Sequence, residues 1–158
     1  MTAVVITVGS FTNQPTEHAG WGERVESLVL LAPALDLSRR WSARMGPAAL
    51  RRWREQGFFE FDHYARGRKE PLSARFLDDA ALHTPFPLPK ARTLIVQGLR
   101  DETVAPELAR ELALSMRGEG LASQLVELDQ GHELTADLPE LWRLIEAHLF
   151  QPSPRPTP

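Results

Sequence analysis

Unbroken apolar runs alternate along this chain with segments whose apolar residues recur every three to four positions. "AVVITV" (3–8) is short and β-branched, the pattern of a strand buried on both faces. "ESLVLLAPALDL" (26–37) repeats that character around Leu28–Leu31 and is expected to stop at Pro33. "RTLIVQG" (92–98) is a third run, and "SQLVELD" (123–129) a weaker fourth. Between the last two, Pro106 suits a first helical turn. Ala109, Leu112, Ala113 and Met116 then share one helical face, and Gly118 is placed to end the helix. A last helix is expected from about Asp137 and Pro139, with Leu141, Leu144, Ile145, His148 and Leu149 on one side. Strand and helix in alternation predict an α/β fold, a parallel sheet of about four strands flanked by helices.

The spacing breaks between the second and third runs. Residues 39–90 are longer than a crossover needs and are expected to form a helical, cap-like insertion covering one end of the sheet. It holds predicted helices over about 47–56 and 73–82, and an aromatic patch of Trp53, Phe58, Phe59, Phe61 and Tyr64. Residues 1–150 are read as one domain with this insertion. The tail "QPSPRPTP" (151–158) is read as disordered.

Composition narrows the chemistry. The 158 residues carry a formal net charge of −3 with both signs interspersed, so no phosphate-gripping face is expected and nucleic acid is not a predicted partner. Cysteine is absent, which removes disulfides, thiolate nucleophiles and Cys-type metal sites together. "MTAVVITVGS" lacks a charged leader and no run reaches membrane-spanning length, so a cytoplasmic protein with no membrane partner is the expectation. No spacing such as H-E-x-x-H and no phosphate or dinucleotide glycine loop occurs, and cofactors are not implied.

What remains is a carboxylate and an imidazole. Asp101 lies three residues beyond Gly98, at the carboxyl end of the third run, where open α/β sheets place working groups. His132 follows Gly131 just past the fourth run, so both are expected at one sheet edge on neighbouring strands. A carboxylate there can accept the imidazole N–H, fix its tautomer and stabilise its protonated form, as a general base requires. Taken alone, Asp101 could equally be a turn or capping residue before Pro106. Asp36 is a further carboxylate, just after the second run. His18 is read as solvated, His63 and His83 as insertion residues with polar contacts, and His148 as bordering the core.

"LIVQGLRDETVAP", then "DQGHE", then a closing amphipathic helix resemble the C-terminal part of the α/β-hydrolase superfamily. "ERVESLVLLAPALDL" resembles that superfamily's sixth strand and the loop after it. "MGPAALRRWREQGFFEF" and "PLSARFLDDAALHTPFPL" are similar to the small cap of compact bacterial serine esterases and of the mitochondrial acyl-glucuronide esterase type. The resemblance covers roughly residues 23–150 and implies strands five to eight of the superfamily sheet, earlier strands lying before Met1. It implies an ester hydrolase acting on a small acyl ester. Ser10 would be the nucleophile, His132 the base, Asp101 the acid, with Asp36 the alternative position that some members use, and the Phe11 N–H one oxyanion-hole donor.

One feature departs from the superfamily pattern. The nucleophile elbow is written G-x-S-x-G, whereas the positions two before and two after Ser10 are Val8 and Thr12. "FTNQPTEHAGWG" has no apolar periodicity and carries Pro15, Gly20 and Gly22 where the elbow helix should start, as a local deletion or frameshift would leave. The alternative expectation is therefore an inactive, truncated hydrolase fold serving as a binding or assembly module. A sheet beginning at strand five would expose its first strand, and self-association into a homo-oligomer through that edge is expected.

Overall fold

The computed structural model describes residues 3–10, 25–63, 66–82, 86 and 88–150, with the backbone alone over 3–10 and at 37 and 63. In chain order the elements are β1 (Ala3–Ser10), β2 (Val25–Ala34), α1 (Leu37–Gln56), β3 (Phe58–His63), β4 (Arg68–Ser73), α2 (Arg75–Leu82), β5 (Arg92–Gly98), α3 (Pro106–Gly118), β6 (Ser123–Leu128) and α4 (Leu138–Phe150). They divide into two compact units, residues 1–35 together with 88–158, and residues 36–87.

The four apolar runs form one sheet in the order β1-β2-β5-β6, and every neighbouring pair is parallel. β2 and β5 sit in the middle and are buried along almost their whole length, which is why they read as continuous apolar runs. β6 is half-exposed at one edge and reads as the weaker run for that reason. Alternate residues face one side: Val29, Leu31, Leu94 and Val96 join Leu128, Leu134, Leu141 and Ile145 in a single apolar cluster, so α4 covers this face. The intervening Leu28, Leu30 and Ile95 are equally buried. α3 packs on β6, β5 and β2 through the predicted stripe of Ala109, Leu112, Ala113 and Met116.

The helix ends follow local chemistry. Asp137 accepts the Glu140 N–H at 2.9 Å and caps α4, with Pro139 in the first turn, as the sequence indicates. At the end of α3 the glycine in the left-handed region is Gly120 (φ 69°), not the expected Gly118, which is the last helical residue. The Leu121 N–H bonds Met116 O at 2.9 Å, closing a Schellman turn whose left-handed position favours glycine. β2 also runs past its expected stop: Pro33 lies inside the strand beside left-handed Ala32 (φ 45°). The β1–β2 register slips between Val8 and Ser10, so the residue that cannot donate falls where the ladder is already broken.

The inner unit holds two helices, as expected, and an antiparallel hairpin that the sequence reading does not include. Its register pairs Phe58 with Ser73 through to His63 with Arg68. α1 breaks at Gly46 (φ 73°, ψ 166°), so its second half begins at Pro47, the expected start of a helix, and a further helical stretch precedes the break. Trp53 is fully buried and meets Trp41, Phe59, Phe61 and Phe76, while its indole N–H donates to Leu72 O at 2.9 Å. This cluster is the core of the unit. Phe58 points away from it and is exposed, and Tyr64 lies outside the described residues.

Candidate active site

Gly98 closes β5, and the chain leaving β6 crosses directly over it. A Cβ at Gly98 would stand 2.5 Å from Gly131 O and 2.6 Å from Gln130 O, so only glycine lets the two loops approach this closely. Backbone bonds then tie them: Leu99 N–H to Leu128 O at 2.8 Å and Arg100 N–H to Gln130 O at 2.9 Å. The Arg100 guanidinium adds an ion pair with Asp129 at 3.0 Å. The loop that carries Asp101 and the loop that carries His132 are thus one hydrogen-bonded assembly.

Within it, Asp101 and His132 meet. The side chain of Asp101 is fully buried, and His132 Nδ1 lies 2.9 Å from its Oδ2. Oδ1 accepts the backbone N–H groups of Thr103 at 2.8 Å and Val104 at 2.7 Å. Gln97 donates its side-chain amide to Oδ2 at 2.9 Å. Burial by itself would push this carboxyl up. The bonds from Val104, His132, Thr103 and Gln97 outweigh it and hold Asp101 below its ordinary value. An ionised carboxylate accepts from Nδ1–H, which leaves His132 Nε2 with its lone pair available, the tautomer a general base needs.

The rest of the loop supports that imidazole. Gln130 is buried and its Oε1 accepts the Ala136 N–H at 3.1 Å. Leu134 takes a left-handed conformation (φ 53°) that sinks its side chain into the cluster under the sheet. His132 lies between these two anchors with its side chain about a quarter exposed (27%).

Ser10 is the last residue of β1, opposite Ala34, and is described by its backbone. Because the four strands are parallel, Ser10 ends β1, and Asp101 and His132 follow β5 and β6, all on the carboxyl-end side of the sheet. Phe11, the expected oxyanion donor, lies outside the described residues, as do His18, His83 and the tail 151–158; His63 is described by its backbone. Asp36 heads α1 and pairs with Arg39, and the carboxylate that His132 meets is Asp101. His148 is a core residue: its Nε2–H donates to Arg92 O at 3.2 Å, and burial pushes its pKa down against that bond. Among the described residues no cluster of three or more His, Asp and Glu side chains could hold a metal ion. No helix among them is long and apolar enough to cross a membrane.

A four-stranded parallel sheet in this order, flanked by helices, is part of an α/β-hydrolase fold. Solved structures bear this out. A protein of Agrobacterium vitis S4 assigned as a hydrolase matches with a TM-score of 0.68 at 18% identity, over 92% of this chain and 59% of that one. Mouse alpha/beta hydrolase domain-containing protein 10 matches at 0.63 with 18% identity over 82% and 54%. Est1E from Butyrivibrio proteoclasticus matches at 0.60 with 21% identity over 83% and 52%. The chain therefore spans between 52% and 59% of the length of these three. No protein-family profile and no curated protein matches it by sequence.

Proposed function

We propose that this chain is a serine hydrolase acting on small carboxylic esters. The reading rests on one observation: a fully buried Asp101 carboxylate 2.9 Å from His132 Nδ1, at the carboxyl edge of the parallel sheet. In this mechanism the Ser10 hydroxyl oxygen bonds to the ester carbonyl carbon while its proton passes to His132 Nε2. The imidazolium, steadied by Asp101, returns that proton to the departing alkoxide as the C–O bond breaks. Water then repeats the sequence on the acyl-Ser10 ester and frees the acid. The Phe11 N–H would face the oxyanion.

The test is turnover of a short-chain nitrophenyl ester. Ser10→Ala and His132→Ala are each expected to lower kcat by about 10⁴-fold or more, since the two residues act as a unit. Hydrolysis that survives Ser10→Ala removes Ser10 from the mechanism. No hydrolysis by the wild-type chain, with the Asp101–His132 bond intact, favours the assembly-module reading. For partners we propose a second copy of this chain, paired through the outer edge of β1.

A further inference from the structure

Gln97 is the one polar residue between Leu94 and Gly98 on central strand β5, and it is completely buried. Its amide nitrogen faces three acceptors, Asp101 Oδ2 at 2.9 Å and the carbonyls of Gly98 and Val104, both at 3.3 Å. Turning the amide over would set its oxygen against those three oxygens, so the orientation follows from the chemistry of the surroundings. Its own Oε1 is buried without a hydrogen-bond partner among the described residues. A leucine or methionine would fill the same volume and leave no orphaned acceptor, an unfavourable feature in a core. The benefit that offsets it lies at the nitrogen.

We propose that Gln97 is a positioning residue for the Asp101–His132 pair, fixing the oxygen of the carboxylate that faces the imidazole. The backbone N–H groups of Thr103 and Val104 grip Oδ1 alone. With donors on Oδ1 alone besides the imidazole, the carboxylate can still pivot about that held oxygen and carry Oδ2 off the imidazole; a second donor on Oδ2 fixes the other end. Gln97 supplies the donor from a strand paired on both sides, a more rigid mount than either loop. The catalytic consequence rests on the hydrolase reading above; the geometry does not.

Two measurements test it. In the wild-type protein, the side-chain amide protons of Gln97, followed by nitrogen-15 NMR, are expected to shift at the same midpoint as the Asp101 carboxyl carbon during an acid titration. Amide resonances that stay still through that midpoint overturn the inference. In Gln97→Met, with folding verified by circular dichroism, the Asp101 titration is expected to move upward, and kcat for the nitrophenyl ester to fall about ten- to a hundredfold with KM unchanged. A folded Gln97→Met protein whose Asp101 titrates as in wild type also overturns it. If Gln97→Met does not fold, the wild-type titration decides alone. If the NMR shifts appear and no ester is turned over, the positioning role stands and only the hydrolase reading falls.

Discussion

A carboxylate with no exposed surface is a cost unless its charge is met, and Asp101 meets it with four donors. Its folded pKa lies below the ordinary value, so as pH falls the unfolded chain binds the proton first. The stabilisation is therefore complete above the ordinary carboxylate range, about pH 4, and is lost as pH falls through the folded value. Urea midpoints measured from about pH 6 to about pH 3 are expected to drop in wild type and to drop less steeply in Asp101→Asn, which starts about 1–3 kcal/mol less stable. An unchanged slope in the variant would count against the four-donor account. His148 works through the opposite charge. Its folded pKa is pushed down by burial, so the unfolded chain takes up a proton near pH 6.5 before the native one does. Stability is expected to fall from about pH 7 to about pH 5 in wild type and to flatten over that window in His148→Phe, read by the same midpoints. At this scale the Asp–His pair was legible because each residue follows a glycine at the end of an apolar run. Gln97 was not, because one amide inside such a run looks like a tolerated polar residue until its three acceptors are seen.

Between single residues and the sheet lie the contacts that hold elements in place. Gly98→Ala forces a methyl group against two backbone oxygens that cannot yield separately, since Arg100 N–H and Leu99 N–H bind the same stretch. The variant is expected to lose about 1–3 kcal/mol and, by parting the two loops, to shift the His132 Nδ1–H resonance; a folded variant with that resonance unmoved would show that the loops tolerate the gap. Trp53→Ala empties the aromatic core of residues 36–87 and strands Leu72 O. It is expected to cost that unit about 3–5 kcal/mol and much of the protein's near-ultraviolet circular dichroism. The parallel strands and the two helices that flank them were legible because burial on both faces and one-faced packing leave different apolar periods. The β3–β4 hairpin was half legible. "FFEFDH" does alternate, with Phe59 and Phe61 turned inward, but its partner "RKEPLS" carries Pro71 and two cations and shows no strand pattern. Tertiary pairing, with Glu60 opposite Pro71, makes a strand of it.

For the whole molecule the decisive feature is the edge strand β1 of the described sheet. Among the described residues β1 is paired on one side only, with β2, and its eight residues "AVVITVGS" contain neither charge nor proline. Edge strands in monomeric proteins are protected by such residues, by bulges or by a cover, because an open row of N–H and C=O groups is a template for another strand. The irregularities in β1 lie near its two ends, between Ala3 and Val4 and between Val8 and Ser10, leaving Val4–Val8 in regular register. A second copy can meet that stretch across a two-fold axis, edge to edge and antiparallel, and the contact then closes on itself as a dimer and does not propagate. The two described four-stranded sheets would be joined, with both Asp101–His132 pairs far from the new seam, since β5 and β6 lie on the opposite side of each half. Light scattering is expected to show a dimer at concentrations on the order of 100 μM, above the dissociation constant of a modest interface. Val5→Lys, which puts a charge in the middle of the edge, is expected to return the chain to a monomer while the His132 Nδ1–H resonance is unchanged. A wild-type chain that stays monomeric at that concentration would overturn the edge pairing.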